Sequence, residues 1–292
     1  MFVALRDVHL TEAFTSPREG LDALRLGALE LELAEDGSLL DLGGEGRRPA
    51  AGTPGATMAY REHLRAHRVH ACALLWAGRV SAGDEAAATA ALVRAVEVAS
   101  LLEAPVLRVD PLLPDEPHTT FAVHLARLTQ VYRDTLAATA HTSVTLAVEN
   151  HGVRANRVSF LLALLRAVGH WRLGLTLDPA NLYWSGLPLA EVRATVAELA
   201  PHVRHTHCKN IGYPEGEREN TRSVGWAYGE YACGLSEGDL DYREIARLLA
   251  RHAYGGAWCI ENEALAKLSR PQQRAELLEA DAAYLSECLG AA

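Results

Sequence analysis

Short apolar runs alternate with longer amphipathic segments along the whole chain. The runs have the length of buried strands, whereas the segments between them repeat their apolar residues at helical spacing. Eight runs predict strands, at about 2–5, 28–33, 69–75, 106–110, 144–149, 173–178, 203–208 and 257–261. Eight segments predict helices, at about 17–26, 57–67, 83–102, 118–140, 156–168, 188–199, 239–252 and 271–288.

Strand–helix units in this number close most economically into a parallel barrel. The sequence therefore predicts an α/β fold, a (β/α)8 TIM barrel, with residues 1–292 as a single domain. Ser16 before Pro17, and Asp239, are predicted to cap helices because their side chains can accept hydrogen bonds from the free amides of the first turn. An open doubly wound sheet is the alternative, but no Gly-x-Gly-x-x-Gly follows the first predicted strand.

Composition and charge narrow the function classes. The 292 residues, 49% of them hydrophobic, can bury one large core. A formal net charge of −9 disfavours nucleic acid as a partner, because phosphate binding needs a basic face, and favours a small polar molecule. No apolar run reaches the roughly 18 to 20 residues of a membrane span, and the first residues lack the order of a signal peptide, so we expect a cytoplasmic protein. Whether it forms a homo-oligomer stays open.

Cysteine usage agrees with a reducing compartment. The chain has five cysteines and no Cys-x-x-Cys. Three of them fall inside predicted strands, at Cys72, Cys208 and Cys259, which is typical of small reduced core residues. We therefore expect no disulfide framework.

Four predicted strands end on a metal-binding side chain, at Glu149, Asp178, His207 and Glu261. A strand that stops on such a residue points it out of the barrel mouth, where chemistry on this scaffold is done. Three carboxylates and one imidazole at one mouth describe a single divalent-metal site.

Side-chain parity is consistent with this site. Successive strand residues face opposite sides, so residues two and four positions before each ligand should face the barrel interior. His205 is expected there as a hydrogen-bonded interior residue rather than a ligand. The predicted inward residues, mostly small or moderately polar, are Thr145, Ala147, Gly174, Thr176, Val203, His205, Ala257 and Cys259.

Two long connections follow strands and should lie over the mouth. Residues 43–55 are too rich in glycine and proline for a regular element and predict a mobile flap, whose Arg47 and Arg48 are expected to be solvated. Residues 211–238 carry aromatic and cationic side chains, including Arg218, and predict a substrate cover.

Five motifs in the second half of the chain resemble those of the xylose isomerase-like barrels. This family includes sugar-phosphate isomerases, ketose 3-epimerases, inosose and dehydroshikimate dehydratases, and the more distant endonuclease IV enzymes. The first half, up to about residue 105, matches only as an alternating strand–helix pattern. The motifs are Val148-Glu-Asn-His151, Leu177-Asp-Pro-Ala-Asn181, His205-Thr-His-Cys-Lys209, Gly234-Leu-Ser-Glu-Gly-Asp-Leu-Asp-Tyr242 and Ile260-Glu-Asn262.

The resemblance implies a ligand set and a reaction. Glu149, Asp178, His207 and Glu261 would hold one Mn²⁺, Mg²⁺, Co²⁺ or Zn²⁺ ion. The implied activity is isomerisation or epimerisation of a sugar, ketose or related polyol in carbohydrate metabolism, by proton abstraction next to a carbonyl with a metal-stabilised enediolate. Glu149 and Glu261 would be its acid and base pair.

Other functions stay open. A dehydratase or other lyase of the inosose or dehydroshikimate type would share the first step and then expel a β-hydroxyl. A barrel that binds a metabolite without turnover is the second alternative. Asn181 stands where several relatives have a histidine, which counts against a ketose 3-epimerase in particular. The acidic charge and the missing histidines argue against DNA cleavage.

Six residues are candidates for substrate contact because they lie at or just past strand ends, or in the long cover segment. Lys209 is notable because the chain has two lysines against 26 arginines, and this one follows His207 at the same parity. An ammonium there could polarise a carbonyl or hold an anionic intermediate. The six candidates are Trp76, Asp110, His151, Asn181, Lys209 and Arg218.

Overall fold

The computed structural model describes residues 1–44, 46–81, 83–111 and 118–291. Its strands include all eight that the sequence predicts, with ends that differ by at most one residue. They are β1 (Phe2–Arg6), β2 (Ala28–Leu33), β3 (Ser38–Leu40), β4 (Arg47–Pro49), β5 (His70–Trp76), β6 (Val106–Val109), β7 (Thr145–Glu149), β8 (Leu173–Leu177), β9 (Val203–Cys208), β10 (Asn210–Ile211), β11 (Ala232–Cys233) and β12 (Ala257–Ile260).

The eight predicted strands form a closed barrel. Its order is β1, β12, β9, β8, β7, β6, β5 and β2, and the paired neighbours run parallel. Because each of these strands is followed by at least one helix, all their carboxyl ends open at one mouth. The (β/α)8 TIM barrel prediction is confirmed.

The predicted helices are all present, and three further ones were missed. These three, α1, α7 and α9, have six, six and four residues, too few for an apolar period to register. No helix in the described ranges has both the length and the apolar character needed to cross a membrane. The helices are α1 (Val8–Ala13), α2 (Pro17–Leu24), α3 (Pro54–Ala66), α4 (Glu85–Leu101), α5 (Phe121–Ala138), α6 (Val158–Val168), α7 (Pro179–Trp184), α8 (Leu189–Leu199), α9 (Tyr228–Tyr231), α10 (Tyr242–Arg251) and α11 (Pro271–Gly290).

One of the two predicted helix caps is confirmed. The Ser16 hydroxyl accepts a hydrogen bond from the Glu19 amide at 3.2 Å, at the start of α2. The prediction for Asp239 is wrong, because Asp241 caps α10 instead. Asp239 accepts hydrogen bonds from the Tyr183 hydroxyl and the Tyr213 amide, and so ties the cover segment to α7.

The barrel interior is lined below its mouth by small side chains, while the large apolar ones pack outside against the helices. Ala147, Ala257 and Cys259 face inward as parity predicts. Val203 does not: a shift in the pairing of β8 with β9 places it in the outer core. The apolar interior residues are Ala4, Ala28, Cys72, Ala73, Val106, Ala147, Ala257 and Cys259.

Both long connections are more regular than predicted. In the first, β4 pairs antiparallel with β3, and Arg47 donates hydrogen bonds to the carbonyls of Glu32 and Ser38. The described part of residues 43–55 is therefore a hairpin and the start of α3 rather than a structureless flap. In the second, β10 pairs with β11, and the Arg222 guanidinium lies 4.6 Å from the ring centroid of Tyr183. The cover segment is thus anchored to α7.

Arg172 clamps the end of α5 to the barrel, and its replacement should destabilise the fold. Its buried guanidinium donates to the carbonyls of Leu136 at 2.6 Å and Val144 at 3.2 Å, and to the Thr142 hydroxyl at 3.1 Å. Arg172→Met leaves these acceptors unsatisfied and should lower the free energy of unfolding by about 2–4 kcal/mol. Urea unfolding measures the change, with the exposed Arg166→Met as control. Equal stabilities would show that the clamp contributes nothing.

Candidate functional site

The four predicted ligands meet at the barrel mouth. Glu149 ends β7, Asp178 and Glu261 directly follow β8 and β12, and His207 is the penultimate residue of β9. One ligand atom from each lies within 4.8 Å of the others, and all four residues are buried. Metal–ligand bonds of about 2.0–2.6 Å place the atoms of one coordination shell at such separations. The spacing therefore fits a single ion.

Asp178 offers one oxygen to the backbone and leaves the other free for the site. Its Oδ1 accepts hydrogen bonds from the Ala180 and Asn181 amides and so caps α7. Its Oδ2 is buried and receives no well-aligned hydrogen bond from any described residue, although the Lys209 ammonium lies 3.1 Å away. The Lys209 ammonium therefore balances the charge of this oxygen. An oxygen that already faces a cation, among two further carboxylates and an imidazole, fits a divalent cation.

Three cations of the chain neutralise the carboxylates. Lys209 Nζ lies 3.1 Å from an oxygen of each of Asp178 and Glu261. Arg6 Nη1 donates to Glu261 Oε1 at 2.6 Å, and Arg108 Nη2 donates to Glu149 Oε2. A metal ion at this point would therefore compete with the ammonium of Lys209 for the same oxygens.

The burial of so many charges shifts their pKa values. Burial lowers the pKa of His207, but Glu261 and Glu30 outweigh it and raise that pKa to about 9. Burial raises the pKa of Glu261, but His207, Lys209 and Arg6 outweigh it and hold that pKa well below its usual range. Burial lowers the pKa of Lys209, yet Asp178, Glu261 and Glu263 hold it well above its usual range. At neutral pH the metal-free site therefore contains charged pairs.

Most of the residues predicted for substrate contact lie at this mouth. A cavity of about 220 Å³ is bordered by His151, Asn181 and Lys209. Asn181 Nδ2 lies 3.4 Å from Glu149 Oε1, within hydrogen-bonding range. His151 Nδ1 lies 2.9 Å from Asp110 Oδ2, which places Asp110 behind the imidazole.

Trp76 and Arg218 lie elsewhere. The pairing of β2 with β5 shifts by one residue opposite Cys72, so that Leu75 and Ala77 face the mouth and Trp76 packs on the outer side. The Arg218 guanidinium pairs with Asp239 at 2.8 Å and belongs to the anchored cover segment. The structure therefore does not bring these two side chains to the ligand cluster.

Three residues of the site were missed from the sequence, namely Arg6, Glu30 and Arg108. Each lies two positions after an inward-facing apolar residue of the same strand and therefore faces inward as well. These apolar residues are Ala4, Ala28 and Val106, respectively. A charged residue at an inward position of an otherwise apolar strand was the signal that could have found them.

A second cavity, of about 840 Å³, adjoins the mouth. It shares Arg6 and Glu261 with the smaller one and extends past His9 on α1 and Arg274 on α11. A substrate longer than the mouth cavity would find room in this direction.

Asp7, beside Arg6, makes the stability of the protein depend on pH. Burial raises the pKa of Asp7 from 3.8 to about 7, against a hydrogen bond from the Glu32 amide. The folded state then binds more protons than the unfolded state between these values, so stability falls as pH rises from about 4 to about 7. Asp7→Asn removes this loss. Between pH 5 and pH 8, the free energy of unfolding of Asp7→Asn should therefore rise by on the order of 3 kcal/mol relative to that of wild type.

Urea unfolding of wild type and Asp7→Asn at the two pH values measures this gain. The exposed Asp134→Asn, which leaves Asp7 unchanged, is the control. An Asp7→Asn difference that is independent of pH would contradict the prediction.

The chain is similar to a known family and to solved structures. The family described as xylose isomerase-like TIM barrel matches residues 31–288. The IOLI protein, solved with a bound zinc atom, has a TM-score of 0.72 at 12% identity, covering 98% of this chain and 99% of that one. D-psicose 3-epimerase, solved with D-fructose present, has a TM-score of 0.69 at 13% identity, covering 99% of this chain and 100% of the epimerase.

A third solved structure comes from Bacillus anthracis. The probable 3-DHS dehydratase AsbF has a TM-score of 0.67 at 15% identity, covering 98% of this chain and 99% of that one. At identities this low, all three likenesses show a shared fold alone. No curated protein matches the sequence.

Proposed function

This chain belongs to the xylose isomerase-like TIM barrel family, and we propose that it is a divalent-metal-dependent enzyme that isomerises or epimerises a sugar, ketose or related polyol. The observation that carries the proposal is the convergence of Glu149, Asp178, His207 and Glu261 at one buried point of the mouth. D-psicose 3-epimerase has the same fold, which supports this class of substrate.

The metal would be held by these four residues. Three hard oxygens and one imidazole suit Mn²⁺, Mg²⁺, Co²⁺ or Zn²⁺. When bound, the ion supplies positive charge for substrate oxygens next to the carbon that loses its proton. Oδ2 of Asp178, which accepts no backbone hydrogen bond and already faces the Lys209 ammonium, supports the fit of these residues to such an ion.

Glu149 and Glu261 are the proposed proton carriers. Glu149 ends β7 and Glu261 directly follows β12. Two strands, β8 and β9, lie between these strands in the barrel. Each is contacted by a guanidinium, Glu149 by Arg108 and Glu261 by Arg6, which favours the ionised carboxylate. An ionised carboxylate on one side of a substrate can take a proton from carbon, while a protonated carboxyl on the other side gives its own proton to the opposite face and is left ionised, for roughly 10² to 10⁴ in rate.

Lys209 would stabilise the oxygen that gains negative charge during this transfer. Its ammonium borders the mouth cavity and already contacts Glu261 and Glu263, at 3.1 and 2.7 Å. A substrate oxygen that entered between these groups would receive a hydrogen bond from a buried cation, which is worth more there than in water.

A lyase is the second candidate, and one contact favours it. Asp110 Oδ2 orients His151 through a contact of 2.9 Å, and the same imidazole nitrogen lies 3.9 Å from Glu149 Oε2. An imidazole fixed beside the proposed base can protonate a departing hydroxyl, which dehydration requires and epimerisation does not.

Metal loading and product mass test the proposal together. Protein stripped by a chelator would be titrated with Mn²⁺, Co²⁺, Zn²⁺ and Mg²⁺ by calorimetry and thermal melting, then incubated with ketoses, inososes and their phosphates. We expect about one equivalent of metal, a raised melting temperature and a product of unchanged mass. A product lighter by one water would establish the lyase. A protein that takes up metal and binds a sugar of this panel, but converts none of them, would favour a metabolite-binding barrel. No metal uptake would refute the mechanism.

A further inference from the structure

Glu30 lies under the ligand cluster, in the middle of the barrel. It lies on β2 and is fully enclosed. Its Oε2 lies 2.7 Å from His205 Nε2, and its Oε1 lies 2.9 Å from His207 Nε2. Burying an isolated carboxylate is costly, and the two imidazole partners of Glu30 offset that cost.

The small side chains of the barrel interior allow Glu30 on β2 to contact the histidines of β9. β2 and β9 are not neighbours, since β1 and β12 lie between them. The side chains around the path are small, among them Ala4, Ala28 and Cys259. Larger residues at these positions would fill the interior and keep a carboxylate of β2 from a histidine of β9. The polar contact across the barrel is therefore built by several strands together.

The two nitrogens of His207 face different groups. Nδ1 points into the ligand cluster, 2.7 Å from Glu149 Oε1 and 3.2 Å from Glu261 Oε2, while Nε2 points down to Glu30. A histidine can bind a metal only through a nitrogen that carries no proton, so the remaining proton must lie on the other nitrogen. An acceptor at that second nitrogen fixes both the tautomer and the ring orientation.

Glu30 is itself held in place. His205, one layer below His207 on the same strand, contacts Oε2, and the Arg6 Nε lies 3.6 Å from Oε1. His205 is 1% exposed and has no route to the substrate, so its contact with Glu30 is its evident polar role. The carboxylate therefore cannot rotate away without breaking contacts on both sides.

We propose that Glu30 is a positioning residue for the metal centre. Its carboxylate accepts a hydrogen bond from the Nε2–H group of His207 and thereby directs Nδ1 to the ion. His205 holds the carboxylate in place. This inference rests on the proposed function, because it presumes that a divalent metal binds at Glu149, Asp178, His207 and Glu261. Glu30 does not border the mouth cavity, and it acts on the centre through His207.

A competing arrangement uses the same side chains. Glu30, His205, His207 and Cys259 also lie close enough to hold an ion of their own. That ion would take the Nε2 nitrogen of His207, which the proposal assigns to a hydrogen bond. Metal stoichiometry of wild type and Cys259→Ser separates the two: one equivalent that Cys259→Ser retains supports the proposal, whereas an equivalent that disappears in Cys259→Ser overturns it.

Co²⁺ and Zn²⁺ titration of Glu30→Gln tests the proposal. The amide is nearly isosteric but no longer offers two anionic acceptor oxygens, so Co²⁺ affinity should fall by about 10 to 100-fold. Asp7→Asn is the matched control: it changes an equally buried carboxylate to an amide beside β1, contacts neither histidine and should retain wild-type affinity. Glu30→Gln with wild-type affinity would overturn the inference, while a wild type that takes up no metal would refute the proposed function itself.

Nitrogen NMR of the Zn²⁺-loaded wild type tests the same point without any variant. We expect His207 as the Nε2–H tautomer, with a slowly exchanging proton. The Nδ1–H tautomer would overturn the proposal even if Glu30→Gln failed to fold. His205→Gln, which loosens Glu30 but leaves its contact with His207, should weaken Co²⁺ binding less than Glu30→Gln does.

Discussion

Replacing His207 by alanine is expected to weaken divalent-metal binding by more than about 100-fold and to abolish turnover. Replacing a residue that merely supports a metal ligand already lowers metal affinity by about 10 to 100-fold. His207 supplies the one nitrogen of the proposed ligand set and lies between Glu149, Glu261 and Glu30. Its loss brings three carboxylates together without their shared partner. Calorimetric titration with Co²⁺ and elemental analysis of the purified protein measure the change.

His252→Ala is the control for this experiment. His252 is exposed at the C-terminal end of α10, and its removal should leave one equivalent of metal bound. A thermal melt of both variants separates loss of metal from loss of fold. A folded His207→Ala protein that still binds metal with wild-type affinity would rule out this ligand set.

Converting either proposed proton carrier to its amide should lower kcat by roughly 10² to 10⁴. Glutamine at Glu149 or Glu261 retains an oxygen that can face a metal but can no longer accept a proton from carbon. We expect each variant to keep the fold, because Arg108 and Arg6 can still donate to the amide oxygen. Steady-state kinetics on the substrate identified by product mass measures the loss.

Deuterium exchange distinguishes the two carboxylates. In D₂O, each amide variant of an epimerase should still exchange the proton of one epimer, the one that faces the carboxylate left intact, and the two variants should exchange different epimers. Exposed Glu191→Gln on α8 should exchange both, like wild type. If one variant exchanged neither epimer and the other exchanged both, a single residue would serve both faces and the two-base assignment would be wrong.

The proposed ligand set could be predicted from the sequence because each member has a local signature. Glu149, Asp178, His207 and Glu261 each end an apolar run, and the runs recur at the spacing of strand–helix units. In a parallel barrel, chain order and strand order coincide, so residues at successive strand ends must converge. Local pattern and topology therefore sufficed, and the structure brings these four together.

Residues whose position depends on register were placed less well. A one-residue shift in the pairing of β5 with β2 turns Trp76 outward and brings Leu75 and Ala77 to the mouth. A similar shift moves Val203 out of the interior. Because side chains alternate along a strand, a single bulge reverses every later orientation, and no local pattern reveals where the bulge lies.

The sequence by itself determined the eight-unit barrel and the convergence of the four proposed ligands at the strand ends, because apolar periodicity and strand order act locally and repeat. Only the tertiary structure decided which charges meet across the barrel: Arg6 with Glu261, Arg108 with Glu149, and Glu30 with His207. It also decided that Arg218 anchors the cover segment through Asp239. Such contacts join residues more than 20 positions apart, and up to 255 apart, so they follow from closure of the barrel and from the room that its small interior residues leave.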